Sequence, residues 1–212
     1  MTKVEFYFDP ACPWSWVTSR WLLSVREHRD INITWRPFSL AIKNDSLVEK
    51  DGESPYATKH RASHRVLRLM MEASKNHDIS LEKMYTHFGI KHHIAGFDYD
   101  DEWILATLKE LELPASLLSA GDKTDYDQEL SREIDSATEV AGNDVGVPII
   151  VFTNEKEERQ GYFGPVIRTI PETKEALKLW DGLHNLATVS SFYELKRGRP
   201  DGGPDTSGPA IC

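Results

Sequence analysis

The first 38 residues carry the hydrophobic periods of a strand, a helix and a second strand, and this order constrains the fold more than any other feature. Residues 3–8 (KVEFYF) alternate and are rich in aromatic side chains, as in a half-buried strand. From Pro13 the apolar residues recur at helical spacing, which predicts a helix that ends near residues 28–30. Residues 31–38 (INITWRPF) alternate again. A unit of this kind predicts two parallel strands joined by a helical crossover.

The middle of the chain has a different pattern. Residues 56–142 show successive helical periods and no good strand. Strand-like patterns return at residues 147–152 and 160–163, separated by a polar turn, and a helical pattern follows Pro171. The order is therefore strand–helix–strand, helical block, then strand–strand–helix. This is the layout of the thioredoxin fold, an α/β fold, with an inserted all-helical domain.

The same patterns predict the domain boundaries. Residues 1–55 and 143–197 are expected to form the thioredoxin-like domain, and residues 56–142 the helical insertion. Seven of the last fifteen residues are Gly or Pro. Such a segment buries too little apolar surface to order itself, so residues 198–212 are expected to be a flexible tail.

Composition excludes several classes of function. The 212 residues include 25 Lys and Arg against 34 Asp and Glu, a net charge of −9. This balance argues against a nucleic-acid binder and against a protein that binds anionic membranes, because both need a basic surface. The N-terminal apolar run is short and interrupted by Glu5, so neither a signal peptide nor a transmembrane span is expected. We expect a cytoplasmic protein, in a compartment where thiols stay reduced.

The chain has two cysteines, Cys12 and Cys212, too few for a disulfide framework or a four-cysteine zinc site. Cys12 lies where the first strand meets the first helix, and Pro13 suits the first turn of that helix. Free N–H groups and the helix dipole at this point favour a thiolate, so the pKa of Cys12 is expected to fall. A buried, inert cysteine is the simpler alternative.

Ser15 stands three residues after Cys12 and is expected to face the same side of the helix. In a Cys-x-x-Cys motif this position holds the second, resolving thiol. A serine can donate a hydrogen bond to the thiolate but cannot form a disulfide. The remaining routes are a mixed disulfide with another thiol or activation of a bound thiol.

Val147 and Pro148 open the predicted third strand. In thioredoxin folds a cis-proline at this place faces the active cysteine, and the residue before it pairs with the bound thiol compound. The fold assignment therefore predicts a cis bond between these two residues, although cis is found in only about 5–6% of X-Pro bonds in folded proteins.

Several stretches identify a family. They are residues 8–16 (FDPACPWSW), 18–21 (TSRW), 39–42 (SLAI) with Asn44, 144–148 (DVGVP), 163–166 (FGPV), 178–181 (KLWD) and 192–197 (FYELKR). The chain resembles the DsbA-like thioredoxin superfamily, and within it the actinobacterial group of mycothiol-dependent nitroreductases and thiol oxidoreductases. The matches run in order over most of the chain and are less obvious in the helical insertion.

The resemblance implies a cytoplasmic enzyme that uses mycothiol, a small thiol, as co-substrate and no metal. Relatives act through the first cysteine of Cys-Pro-Trp-Cys, on mixed disulfides or electrophilic compounds. The serine at position 15 departs from that motif and favours a cycle with one cysteine. By resemblance, Trp14, Asn44 and Tyr56 are expected to line the thiol pocket, together with Pro13, Val147 and Pro148.

Two other functions remain open at this point. One is a thiol S-transferase or isomerase like the kappa-class glutathione transferases, in which the protein activates a bound thiol without forming a disulfide. The other is a non-enzymatic binding module. The substrate is unassigned, and a homodimer stays open.

A basic stretch lies in this acidic chain between Lys59 and Arg68, with His60 and His64 spaced as metal ligands often are on a helix. No third ligand is evident. A solvated helix face is the favoured interpretation, and an anion-attracting rim near the active site is the alternative. Cys212 is expected to be an incidental part of the tail rather than a distal resolving thiol.

Overall fold

The predicted parallel pair is present in the computed structural model, which describes residues 1–209. Strand β1 (Thr2–Phe8) leads through helix α1 (Pro13–Arg26) into strand β2 (Ile31–Pro37). The two strands are parallel, with Thr2 opposite Ile31. The predicted strand–helix–strand unit is confirmed.

The rest of the sheet comes from the C-terminal part of the chain. Strands β3 (Ile149–Thr153) and β4 (Arg159–Phe163) form an antiparallel hairpin that pairs antiparallel with β1, so the strand order is β2-β1-β3-β4. Helix α8 (Thr173–Leu186) packs beside α1, where the Trp21 indole N–H donates to the Ala176 carbonyl at 3.1 Å. This is an α/β fold with the thioredoxin layout, as predicted.

Helices dominate the chain between β2 and β3. They are α2 (Leu40–Lys43), α3 (Ala57–Asn76), α4 (Leu81–Gly89), a π-helical turn (Ile90–Ile94), α5 (Asp101–Glu110), a 3-10 turn (Ala115–Leu117), α6 (Leu118–Gly121) and α7 (Asp127–Ala141). Asp100 caps α5 by accepting a hydrogen bond from the Trp103 N–H at 3.0 Å. Within residues 1–209, no helix is long and apolar enough to cross a membrane.

Helix α7 differs from the other helices of this region in its contacts. It packs on β3, β4 and β2, whereas α3 packs on α6 and α4. Ile134 and Ala137 of α7 share a buried cluster with Ile149 and Val151 of β3. These contacts join α7 to the sheet, although the sequence patterns group it with the helical insertion. The division of the chain into domains stays a prediction.

The two faces of the sheet have separate cores because side chains alternate along β1. Val4, Phe6 and Phe8 point into the larger cluster, which also holds residues of α1, α3, α4 and α8. Tyr7 points to the opposite face and into the smaller cluster under α7, which includes Cys12. The candidate nucleophile therefore lies on the α7 side of the sheet.

A candidate thiol active site at the start of helix α1

Cys12 lies at the junction of strand and helix that the sequence predicts. β1 ends at Phe8, and a turn closes when the Cys12 N–H donates to the Asp9 carbonyl at 3.0 Å. Cys12 has extended dihedrals, φ −83° and ψ 109°, and is the N-cap of α1, with Pro13 as the first helical residue. Proline suits this position because its missing N–H has no helical acceptor there.

The Cys12 thiol is buried against the residue that precedes Pro148. Its side chain is 7% exposed, and the thiol S–H donates to the Val147 carbonyl at a sulfur–oxygen distance of 3.4 Å. The peptide bond between Val147 and Pro148 is cis, as the fold assignment predicts. Apolar side chains of Trp14 and Leu40 pack on the same cluster. Two segments 135 residues apart thus meet at the sulfur.

Burial raises the pKa of the Cys12 thiol above its ordinary value of 9.0. The Ser15 hydroxyl and the N–H groups of Ser15 and Trp14 act in the opposite direction, and the negative charge of Asp9 adds to the rise. The sequence-based expectation of a lowered pKa for Cys12 is therefore wrong. The helix start does favour the thiolate, but removing the sulfur from water costs more.

Ser15 is fully buried beside this thiol. Its hydroxyl lowers the pKa of Cys12, and its oxygen has no hydrogen-bond partner of ordinary geometry among residues 1–209. The hydroxyl therefore occupies the position expected of the second thiol in Cys-x-x-Cys, without the chemistry to form a disulfide.

Asp9 was not predicted as a site residue, but the structure gives it a place in the site. Its carboxylate is completely buried and accepts the N–H groups of Ala11 and Leu40, each at 2.8 Å. Burial raises its pKa to about 6. An available signal was the order Asp-Pro-x after a strand, since aspartate commonly accepts a backbone N–H two residues further on.

The other predicted pocket residues divide into two places. Trp14 is half-buried next to Cys12. Asn44 and Tyr56 line a separate open pocket of about 560 Å³, whose lining includes Lys50 and His60 but neither Cys12 nor Trp14. Tyr56 is 63% exposed. The structure thus brings Asn44 and Tyr56 together and does not place them at the sulfur.

This geometry agrees with a sequence match. Residues 11–197 match the Rv2466c-like family, described as mycothiol-dependent nitroreductase Rv2466c. The chain belongs to the Rv2466c-like family. The resemblance expected from the sequence is confirmed, and with it the class of enzyme, a thiol-dependent oxidoreductase. A relative in Mycobacterium tuberculosis, the uncharacterized protein Rv2286c, is 30% identical over 200 residues, covering 93% of this chain and 82% of that protein.

Solved structures of DsbA-like proteins share the fold of this Rv2466c-like chain. The probable DsbA oxidoreductase SCO1869 from Streptomyces coelicolor superposes with a TM-score of 0.56 at 17% identity, covering 97% of both chains. The cytosolic disulfide reductase DsbM from Pseudomonas aeruginosa superposes with a TM-score of 0.57 at 12% identity, covering 87% of this chain and 99% of that one. At these identities the likeness confirms the fold.

The segment after residue 197 lies outside the family match but beside the site. The Arg199 guanidinium lies 5.3 Å from the centre of the Trp14 ring, and the Thr206 hydroxyl donates to the His93 carbonyl at 2.7 Å. Residues 198–209 contain no helix or strand. The expected flexibility of this tail stays a prediction. Cys212 lies outside the described residues, so its expected incidental role also stays a prediction.

The basic stretch on α3 is paired with acids. Arg61 binds the Glu53 carboxylate, Arg65 binds those of Asp101 and Asp122, and Arg68 binds that of Asp127. These pairs leave little free positive charge for the predicted anion-attracting rim. Among the described residues, no three His, Cys, Asp or Glu side chains come together as a metal site would require.

Ser39, His64 and Asp127 form a second polar constellation, in the arrangement of a nucleophilic triad. The Ser39 Oγ lies 2.9 Å from His64 Nδ1, and His64 Nε2 lies 3.0 Å from the Asp127 carboxylate. Ser39 is fully buried, however, and its oxygen already accepts the Ile42 N–H at the start of α2. The three residues therefore link α2, α3 and α7 rather than present a nucleophile.

Burial of His64 predicts a stability that depends on pH. Burial first, then the nearby Arg68 charge, lowers its pKa from 6.5 to about 4. The unfolded chain then binds a proton between about pH 6.5 and 4 that the folded chain does not, so stability falls as pH falls through this window. When His64 is protonated in both the folded and the unfolded chain, the free energy of unfolding is lower by roughly 3 kcal/mol than at neutral pH. The raised pKa of Asp9 acts in the opposite direction, which makes a variant comparison necessary.

We expect His64→Gln to flatten the dependence of the free energy of unfolding on pH between 6.5 and 4, by up to about 1.4 kcal/mol per pH unit. Urea denaturation at a series of pH values measures this slope for both proteins. Equal slopes would show that His64 does not hold its neutral form in the folded chain.

Proposed function

We propose that this chain performs thiol–disulfide exchange with one cysteine, using mycothiol to reduce mixed disulfides or electrophilic compounds. The observation that carries the proposal is the position of Cys12. It is the N-cap residue of α1, its thiol contacts the Val147 carbonyl, and a buried serine occupies the position of a resolving cysteine. Membership of the Rv2466c-like family supports the choice of thiol. We also propose a cytoplasmic location, where such a thiol would be available.

The proposed cycle has two exchange steps. Cys12 Sγ attacks a sulfur of a mixed disulfide between mycothiol and a second thiol, the S–S bond breaks, and the second thiol leaves with the proton that Cys12 gives up. Cys12 is then joined to mycothiol. A second mycothiol attacks the mycothiol sulfur, forms mycothiol disulfide and restores the Cys12 thiol. Ser15 cannot interrupt the cycle with an internal disulfide, and it is proposed to steady the Cys12 thiolate.

The apolar residues around the sulfur support packing against a bound thiol compound. Trp14 and Val147 pack on the cluster that contains Cys12, and Pro13 and Pro148 flank it in the chain. The Cys12 thiol donates to the Val147 carbonyl, so a bound sulfur has to replace or shift that contact. Asn44 and Tyr56 are proposed to bind polar groups of the co-substrate in the separate pocket that they line.

Incubation of the purified protein with mycothiol disulfide, followed by mass spectrometry, tests the proposal. We expect one mycothiol adduct on the peptide that contains Cys12, removed by free mycothiol. Conjugation of an electrophile to mycothiol without such an adduct would indicate an S-transferase instead. The absence of both would leave a binding module and overturn the proposal.

Ser15→Cys is expected to change the product of the same reaction. A cysteine at this position lies one helical turn from Cys12, so the new thiol should attack the mixed disulfide and expel mycothiol. The Cys12 adduct should then be replaced by an internal disulfide, seen as a loss of two hydrogen atoms by mass spectrometry.

Ser24→Cys on the same helix is the matched control. At 1.5 Å per residue its Cα lies about 18 Å along the helix from that of Cys12, too far for a disulfide. It should keep the mycothiol adduct. A stable adduct in Ser15→Cys would mean that the two side chains do not face each other.

A further inference from the structure

The peptide group between Pro10 and Ala11 is held at both of its ends. Its carbonyl oxygen accepts two hydrogen bonds, from His93 Nε2 at 2.8 Å and from the Tyr99 hydroxyl at 2.9 Å. Its N–H donates to the Asp9 carboxylate at 2.8 Å. Since the peptide group is planar, these three bonds fix its orientation one residue before Cys12.

Two of the three groups come from the helical insertion, more than 80 residues away in sequence. His93 belongs to the π-helical turn Ile90–Ile94, and Tyr99 to the loop before α5. Turns of this kind occur frequently at functional sites. The contact gives the insertion a specific link to the turn that carries the cysteine.

The His93 ring is itself held in place. It is stacked on the buried Trp16 ring at a centroid distance of 5.4 Å and an angle of 26°. Burial lowers the pKa of His93 to about 3, so the ring is neutral near pH 7 and carries a single N–H. Since the Pro10 carbonyl only accepts, that N–H is assigned to Nε2.

The Tyr99 hydroxyl is aimed by similar packing. The side chain is 8% exposed, and its ring stacks on His92 at a centroid distance of 4.5 Å. The edge of the Phe88 ring packs on it from α4. Neither donor can turn away without disturbing a buried aromatic contact.

We infer that His93 and Tyr99 are positioning residues for Cys12, holding the Pro10–Ala11 peptide so that the first turn of α1 stays aimed at the sulfur. The hydroxyl of Ser15 and the N–H groups of Ser15 and Trp14 favour the thiolate, while burial opposes it. Without the hydrogen bonds from His93 and Tyr99, the first turn of α1 would lose its alignment with the sulfur while Cys12 stayed buried. The thiolate would then be less favoured. The inference rests on the proposed role of Cys12 as the reactive sulfur, but not on the identity of the co-substrate.

The test is the pH dependence of Cys12 alkylation by iodoacetamide in the full chain, with the modified peptide quantified by mass spectrometry so that Cys212 is counted separately. Tyr99→Phe removes only the hydroxyl. His93→Phe keeps a ring on Trp16 and removes the donor. Near pH 7 we expect alkylation to slow about threefold in each variant and about tenfold in the double variant, as the profile moves to higher pH.

Tyr126→Phe is the matched control, because its hydroxyl donates to Glu72 of α3 at 2.7 Å and makes no contact with the Pro10–Ala11 peptide, so its loss should leave the profile unchanged. His93→Gln retains an N–H donor and should recover part of the rate. A thermal unfolding curve for each variant identifies any that is not folded.

The outcomes are separable. Profiles of folded Tyr99→Phe and His93→Phe that coincide with wild type, or move to lower pH, would overturn the positioning role. A wild-type Cys12 that does not react with iodoacetamide at any pH would instead overturn the proposed function. If only the exchange with mycothiol failed, the alkylation profiles would still test the positioning role of His93 and Tyr99.

Discussion

Cys12→Ser is expected to abolish thiol–disulfide exchange, with a loss of at least about 1,000-fold in turnover. A serine hydroxyl ionises far above neutral pH, and its oxygen cannot form a disulfide bond that a second thiol could cleave. The substitution is nearly isosteric in a site that is 7% exposed, so the fold should be retained. Formation of mycothiol disulfide from a mycothiol mixed disulfide and free mycothiol, followed by chromatography, measures the rate.

Cys212→Ser is the control for this prediction, because it removes the chain's other thiol and should keep turnover near the wild-type rate. Turnover that survives in Cys12→Ser would exclude Cys12 as the nucleophile. A loss in Cys212→Ser would instead assign a working role to the C-terminal cysteine.

Gly89→Ala is expected to destabilise the protein by about 3 kcal/mol. A Cβ at Gly89, the last residue of α4, would lie 2.2 Å from Cζ3 and 2.5 Å from Cε3 of Trp16. The Trp16 ring is fully buried, with Tyr85, His93 and the Arg20 guanidinium around it, so it has no space into which to move. The usual gain in helix propensity from Gly to Ala is smaller than this clash.

Gly182→Ala is the matched comparison on a helix. Gly182 lies inside α8, and a Cβ there would have no atom within 4 Å among the described residues. We expect a stabilisation of about 0.5–1 kcal/mol, because alanine restricts the unfolded chain more and favours the helix. Urea denaturation of both variants measures the difference. Equal denaturation midpoints for Gly89→Ala and Gly182→Ala would show that the Trp16 ring can move to accommodate the new Cβ at little cost in stability.

Local patterns were sufficient to predict the frame of the sheet. The alternation in residues 3–8 and 31–38 and the apolar spacing after Pro13 each describe one segment against one surface. For the same reason the sequence predicted the hairpin and the place of Cys12 at a helix start. The predicted cis bond before Pro148 depended on the whole layout and was also confirmed.

Local patterns could not show which helices share a surface. The period of α7 resembles that of α3, yet α7 covers β3 and β4 while α3 packs on other helices. An apolar stripe shows that a helix has a buried face, but not which element covers it. The boundary at residue 142 grouped α7 with the insertion because the criterion was helicity rather than contact.

The chemistry of the site shows the same division. The sequence by itself determined that one cysteine follows a strand, begins a helix and has serine rather than a second thiol three residues later. Only the tertiary structure decided that burial outweighs the helix start in the pKa of Cys12, and that His93 and Tyr99 reach the peptide before it. The position of a residue at a helix start is determined by its neighbours in sequence. Desolvation and long-range hydrogen bonds depend on groups that only the folded chain brings together.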